Sequence, residues 1–415
     1  MAREDIVVGL DIGTSKTACI IGDIGKGSLE EIEIIGVGVA PSDGLRKGIV
    51  INIERTTSSI RKAIEEAELM AGVEIGSAYI GIAGGHVMGH NVNGVVAVSG
   101  KDHVVTPEDV NRVINAAKTV AIPPEREVLH ILPQMFTVDD MTGIRNPVGI
   151  TGVRLEVSVH IVTGAVSSAQ NLVRCVHLAG LSVEDIVLEP LASAEAVLTP
   201  DEFEAGTALI DIGSGTTDLV IYRNGALMHT ASLAVGGWNI TNDLATVLHL
   251  TLPEAETIKR EHGCALVELV DPAETISVQG RGTQRTRMIH RTHVAEIVQP
   301  RMMEIFELVR QEIEKSHQMI NGLVLTGGTA LLEGIEELGA AMFEMPVRVG
   351  YPRPLRGLSD RVHSPVHATG VGLLLYGTRD RWSGKGTSRF IKGNVFENIL
   401  QRMRSWFASV REDFF

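Results

Sequence analysis

Cysteine is nearly absent from this chain, with three in 415 residues. Cys19, Cys175 and Cys264 stand far apart among mainly apolar neighbours, without the spacing of a zinc site or redox pair. They imply no disulfide framework and read as small core residues of a reduced compartment. Long apolar runs are missing too. No stretch is long enough to span a bilayer, and the first strand begins within a few residues of Met1, leaving no room for a signal sequence; a cytoplasmic protein is expected. Positive charge is in deficit: 37 Lys and Arg against 51 Asp and Glu give a formal net charge of −14. A nucleic-acid backbone rewards the opposite balance, so nucleic acid is not expected as a main partner. What the chain does have is length beyond one typical core and 44% hydrophobic residues, enough for two domains or more.

One phrase occurs twice, 200 positions apart. Val8-Gly9-Leu10-Asp11-Ile12-Gly13-Thr14-Ser15-Lys16-Thr17 is answered by Leu209-Ile210-Asp211-Ile212-Gly213-Ser214-Gly215-Thr216-Thr217-Asp218. Each reads as strand, tight turn, strand. Gly13, Gly213 and Gly215 allow close approach of the backbone, so that successive N–H groups can face phosphate oxygens. Thr14, Ser15, Lys16, Ser214, Thr216 and Thr217 add donors. A carboxylate repels phosphate, so Asp11 and Asp211 make sense as outer partners of a hydrated Mg2+, which keeps most of its waters. Either copy alone would read as an ordinary glycine hairpin; together they predict a clamp around one metal-bound nucleotide.

Strands are expected at 6–10, 18–21, 32–39 and 79–83, with a helix at 53–70. From 84 to about 162 the order changes to a β-rich 92–98, a helix at 107–119 entered through Thr106 and Pro107, and a strand at 154–162, which reads as an inserted subdomain. A helix at 167–179 and a strand at 183–187 follow. After the second hairpin come helices at 238–249 and 253–261, a β-rich polar stretch to about 291, a long helix at 294–317, a strand at 322–325 and a closing helix at 366–376.

The paired phrases resemble the actin, Hsp70 and sugar kinase superfamily, whose halves are related by pseudo-twofold symmetry. Its other motifs follow in order. Glu189-Pro190-Leu191-Ala192-Ser193-Ala194 is similar to the segment linking the halves, which implies that Glu189 positions an attacking water or the Mg2+. Gly236-Gly237, then Ala255-Glu256-Thr257-Ile258-Lys259, resemble the stretch that contacts phosphates and, through Glu256 and Lys259, the nucleoside. Leu325-Thr326-Gly327-Gly328-Thr329-Ala330 resembles the adenosine motif. The resemblance implies an α/β, actin-like (ribonuclease H-like) two-domain ATPase fold with ATP and Mg2+ as cofactors.

Two features stand outside such a nucleotide clamp. From Asp380 to Gly393 the chain turns polar and basic, with Ser383, Gly384, Gly386 and Ser388 reading as a flexible linker. Beyond it Val395, Phe396, Ile399, Leu400, Met403, Trp406, Phe407 and Val410 fall within an arc of about 140° at ~100° per residue. Arg402 and Arg404 rim that arc, Arg411 lies just beyond, and Asn398, Gln401, Ser405 and Ser409 fill the far face. This is the pattern of a helix lying in a membrane surface, its alternative being a helix docked on the body. One such helix binds modestly, so attachment calls for many copies, which a polymer supplies. The second feature is a basic run in an acidic chain: Arg281, Arg285, Arg287, His290 and Arg291. It reads either as a solvated hairpin or as a docking face for an acidic peptide. His290 and His293 lack the Cys or carboxylate neighbours of a zinc site.

The insertion, the terminal segment and the stretch containing Gly44, Gly48, Ile49, Asn52 and Ile53 resemble the FtsA family of actin-like bacterial cell-division proteins, through essentially the whole chain. That resemblance implies subdomain 1A at 1–83, 163–198 and 351–379, an inserted 1C at 84–162, 2A at 199–226 and 300–350, and 2B at 227–299. It also implies a linker at 380–393 and a membrane-targeting helix at 394–411. The implied function is an ATP-binding protein with at most slow ATPase activity, which polymerises and tethers FtsZ filaments at the septum, peripherally, on the cytoplasmic face of the inner membrane. The implied partners are the partly acidic FtsZ C-terminal peptide, received by 2B and so by the arginine run, further copies of the chain, membrane lipids and downstream division proteins. An MreB-like filament is the nearest alternative, although the insertion does not suit it. A sugar kinase would need an Asp base beside a polar pocket, and none stands out; an Hsp70 would continue into a large substrate-binding domain.

Overall fold

The computed structural model describes residues 5–25, 31–118, 122–279 and 286–382. The terminal amphipathic segment, Arg281 and Arg285 lie outside them.

Ile6–Ile12 (β1) is buried along almost its whole length, as expected of a strand covered on both faces. It turns through Gly13 into Lys16–Asp23 (β2), antiparallel, with Asp11 opposite Ala18 and Ile12 opposite Thr17. Glu33–Pro41 (β3) adds a third antiparallel strand. Helix Ile53–Ala71 (α1) starts at Asn52, whose side chain accepts from the Arg55 N–H, and stops at Gly72 in the left-handed conformation. Its Ile60, Ala63, Ile64 and Ala67 form the stripe it buries. Ser77–Ile82 (β4) then returns parallel to β1.

The insertion follows: Met88–Ala97 (β5), Pro107–Ala117 (α2), Arg126–Val138 (β6), Met141–Ile144 (β7) and Arg154–Ala165 (β8), in a separate sheet ordered β5-β8-β6-β7. Thr106 and Asp109 close a reciprocal cap at the start of α2, with Pro107 in its first turn. Val113 and Ile114 of α2 bury against Phe136, Leu155, Val157 and Val159 to form a core of their own.

The chain re-enters the first sheet through Val166–Leu178 (α3) and Ser182–Leu188 (β9), then passes through Glu189–Val197 (α4) and Pro200–Ala205 (α5). The second sheet begins with Thr207–Ile212 (β10), Thr217–Arg223 (β11) and Ala226–Leu233 (β12). Gly237–Val247 (α6), Leu252–His262 (α7), the hairpin Thr275–Gln279 (β13) and Thr286–His290 (β14), and Arg291–Ser316 (α8) come next. Gly322–Thr326 (β15), Ile335–Phe343 (α9) and Val347–Val349 (β16) complete the second half, and Ala368–Asp380 (α10) returns to pack on the first sheet.

The strand orders β3-β2-β1-β4-β9 and β12-β11-β10-β15-β16 match, and so do the directions: two antiparallel pairings, then two parallel ones. The duplicated phrase is thus the local trace of a duplicated sheet. Helices α4 and α10 pack closely on one another; a Cβ on Gly372 would stand 1.7 Å from the Ala192 carbonyl oxygen.

Strand β6 was not among the expected elements, and Pro133 explains why: proline cannot donate to a ladder and argues against a central strand. Here it sits at a bulge. Pro133 pairs with Val159 and Met135 with Ser158, so Gln134 is the extra residue. The bulge turns Gln134 toward β12, where its Nε2 donates to the Leu227 carbonyl at 2.8 Å and its Oε1 accepts from Ser158 Oγ at 2.8 Å. Asn91 Nδ2 donates to the Met228 carbonyl at 3.2 Å, and His160 bridges Asn91 Oδ1 at 2.6 Å and Thr230 Oγ1 at 2.9 Å. The insertion therefore meets the second half through polar groups.

Burial drives the His160 pKa down to about 3, with His229 and His90 adding repulsion. A depressed histidine stabilises fully above its unfolded pKa, near 6.5, and that contribution is lost as pH falls toward 3. Between pH 7 and pH 5 the chain is expected to lose about 2 kcal/mol through this group. Burial depresses His229 too, in the same sense. Denaturant unfolding at both pH values should show the loss shrinking by that amount in His160→Asn; an unchanged pH dependence would contradict it.

Candidate functional site

The two hairpin turns share one geometry. The Gly13 N–H donates to the Lys16 carbonyl at 2.9 Å and the Gly213 N–H to the Thr216 carbonyl at 3.0 Å. They face one another at contact distance: a Cβ on Gly215 would lie 2.6 Å from Thr14 Oγ1 and 3.0 Å from its Cγ2. The Gly48 N–H reaches Thr14 Oγ1 at 3.4 Å from the neighbouring loop.

Around the second turn the structure gathers several of the expected residues. The Gly237 and Trp238 N–H groups at the start of α6 donate to the Gly213 and Ser214 carbonyls at 2.9 and 2.8 Å. Lys259 Nζ donates to the Gly237 carbonyl (3.1 Å), Thr241 Oγ1 (3.0 Å) and Glu256 Oε2 (2.7 Å), while Thr329 Oγ1 donates to the Gly213 carbonyl at 3.2 Å. Gly236 is packed on the Gly213 and Ser214 carbonyls. Gly327 takes φ 84°, a conformation suited to glycine, and brings its Cα against Asp211. Beside Gly328 the space is open: a Cβ there would meet only Val366 Cγ2, at 3.9 Å.

The carboxylates are less alike than the repeat suggests. Asp11 Oδ2 accepts from Lys16 Nζ at 2.7 Å, so the ammonium is engaged within its own hairpin. Asp211 is paired with no lysine among the described residues; its Oδ2 accepts from Ser193 Oγ at 2.6 Å and Thr369 Oγ1 at 3.3 Å. Glu189, in the first turn of α4, has its pKa raised well above the usual range by burial, then by Asp11, Asp218 and Asp211, against the pull of Lys16. Asp211 is raised by burial as well.

Asp218 closes the second phrase, a carboxylate for which the sequence suggests no role. It stands opposite Asp211, where the first hairpin has Ala18 opposite Asp11. Burial pushes its pKa up to about 7, with Asp211 adding to the rise and Ser232 and Thr216 opposing it. Its Oδ1 has no hydrogen-bond partner among the described residues. Aligning the two phrases would have exposed this difference. Ser232, whose Oγ also accepts from the Gly84 N–H at 3.1 Å, and Thr369 left no comparable signal.

The arginine run divides. Arg291, at the start of α8, is paired with Glu274 at 3.0 Å and with Glu333, and donates to the His262 carbonyl at 3.0 Å, so its charge is compensated inside the fold. Arg287 is exposed and donates to the Leu248 carbonyl. Among the described residues no group of three or more His, Cys, Asp or Glu side chains is placed to hold a metal ion directly, and no helix is long and apolar enough to cross a membrane.

Two sheets of matching topology, each offering a glycine hairpin to the other, define an actin-like protein. Solved structures agree on the fold. A PilM-PilN type IV pilus biogenesis complex aligns with TM-score 0.63 at 17% identity, over 90% of this chain and 98% of that one. MreB5 of Spiroplasma citri bound to ADP aligns with TM-score 0.53 at 15% identity, over 92% and 99%. A family model for cell division protein FtsA matches residues 208–372, and one for the SHS2 domain inserted in FtsA matches 84–163. Cell division protein FtsA of Pseudomonas aeruginosa is 45% identical over 410 residues, 97% of each chain. The chain belongs to the FtsA family of cell division proteins.

Proposed function

We propose that this chain binds ATP with hydrated Mg2+ between its facing hairpins, assembles into an actin-like filament, and tethers FtsZ filaments to the inner face of the cytoplasmic membrane at the division septum. The approach of Gly215 to Thr14 carries the nucleotide reading, because it sets two rings of turn amides and hydroxyls on either side of one cleft. The residues fit the cofactor. Four carboxyl groups, Asp11, Asp211, Asp218 and Glu189, act on one another with Lys16 as the opposing cation, and the buried Asp218 Oδ1 has no hydrogen-bond partner among the described residues. Bound Mg2+ would neutralise phosphate charge there, with Asp11 and Asp211 reaching it through water. Thr14, Ser15, Lys16, Ser214 and Thr216 would hold phosphates, and Glu256, Lys259 and the Gly327-Gly328 turn the nucleoside; Thr217, expected among the phosphate donors, is instead fully buried with its Oγ1 donating to the Val235 carbonyl at 2.9 Å. The MreB5 neighbour, which is bound to ADP, supports nucleotide binding by this fold. Glu189 and Asp218 have raised proton affinities suited to taking a proton from water.

The FtsZ C-terminal peptide would be received by the region 227–299, with Arg281, Arg285 and Arg287 meeting its acidic side chains. Membrane attachment would rest on the segment 394–411. Liposome co-sedimentation tests this: ending the chain at Asp380, or substituting Trp406 and Phe407 by Glu, should abolish pelleting and leave ATP affinity unchanged. Each aromatic contributes roughly 1.5–3 kcal/mol if fully buried, an upper figure for a half-wet helix. Pelleting by the truncated chain, or a much lower melting temperature of the substituted chain without lipid, would overturn the membrane reading.

A further inference from the structure

Asp211 belongs to the second sheet, and its carboxylate is held by α10, which packs on the first sheet, and by α4, which lies against strands of both. Ser193 Oγ on α4 donates to Asp211 Oδ2 at 2.6 Å, Thr369 Oγ1 on α10 reaches the same oxygen at 3.3 Å, and the two hydroxyls stand 3.1 Å apart. Both side chains are buried. Helix α10 rests on β1, where a Cβ on Gly9 would meet the Gly370 carbonyl oxygen at 2.5 Å. It touches α4 at Gly372, one turn from Thr369, against Ala192, the neighbour of Ser193. Close contact between these helices therefore decides where both hydroxyls fall. On the other side of the carboxylate, Asp211 Oδ1 lies where a Cβ on Gly327 would come within 2.4 Å.

The duplicated scaffold thus treats its two aspartates differently. Lys16 neutralises Asp11 in place. Two hydroxyls orient Asp211 while leaving its charge intact, which suits a group meant to meet a cation. We propose that Ser193 and Thr369 are positioning residues for the metal-bound nucleotide: they hold the Asp211 carboxylate in the orientation that hydrated Mg2+ would meet, and they tie metal occupancy to the α4–α10 contact. This rests on the ATP and Mg2+ reading above. Groups that orient a metal's direct ligands contribute about tenfold to hundredfold in metal affinity, and the lower end applies to a carboxylate that meets the ion through water.

The test is ATP affinity of the full chain by calorimetry, with and without Mg2+. Mg2+ should strengthen ATP binding in the wild type. Ser193→Ala and Thr369→Val should each cut that strengthening about tenfold, with Mg2+-free affinity unchanged, and Thr369→Ser, which keeps the hydroxyl, should retain it. Thr369→Val nearly preserves volume, so it remains informative if Ser193→Ala folds poorly, and a melt without Mg2+ checks both. Equal Mg2+ strengthening in wild type, Ser193→Ala and Thr369→Val would overturn the positioning role and leave the nucleotide reading standing. A matching fall in Mg2+-free affinity would mark a merely structural role and overturn it as well. Absence of ATP binding or of Mg2+ strengthening in the wild type would overturn both readings.

Discussion

Gly215→Asp is expected to abolish ATP binding. The substitution places a carboxylate where Thr14 already stands 2.6 Å from the new Cβ, so the two hairpins must part. Overpacking of this kind costs roughly 1–3 kcal/mol, and each 1.4 kcal/mol is about tenfold in affinity. Repulsion between the added charge and phosphate acts in the same direction, so the loss should exceed roughly a hundredfold. Gly328→Asp makes an instructive companion. Its Cβ meets no protein atom closer than 3.9 Å, so it should leave the melting temperature nearly unchanged while still removing ATP affinity. Calorimetry and thermal melts on both variants separate the effects. Unchanged ATP affinity in both would end the assignment of this cleft to a nucleotide.

Gly372→Ala should cost about 3 kcal/mol, the upper end for overpacking. One added methyl would face the Ala192 carbonyl oxygen at 1.7 Å and its carbon at 2.2 Å, both of them backbone atoms within a helix that cannot rotate away. Helices α4 and α10 must then separate, carrying Ser193 and Thr369 away from Asp211. The melting midpoint should fall by roughly three to four degrees for a chain of this length, and Mg2+ strengthening of ATP binding should fall with it. A variant that melts within a degree or two of the wild type would show that the helices do not meet as closely as the geometry states.

Much of the fold was legible because its signals are local. Continuous apolar runs marked β1, β10 and β15, helical periodicity over 53–70 marked α1, and Thr106-Pro107 marked the start of α2. Where local and tertiary signals disagreed, the reading slipped. Pro133 hid β6, because its missing N–H is tolerated only at a bulge that the partner strand β8 creates. Arg291 looked like one more member of a basic face until Glu274 and Glu333 came to meet it from elsewhere in the chain.

By itself the sequence determined the two hairpins, their aspartates, the glycine pairs and the resemblance to the FtsA family. Tight turns, close backbone approach and left-handed glycine are demands on contiguous residues, so they are written in contiguous residues. Only the tertiary structure decided how the equivalent aspartates differ. Asp11 finds Lys16 five positions away, whereas Asp211 finds Thr369 at a separation of 158, and Asp218 becomes a buried carboxyl titrating near 7 because the walls of the cleft close over it. Hydrogen-bond partners and desolvation at such separations are set by which helices touch, here α4 and α10 at Gly372, and no short stretch of sequence records that contact.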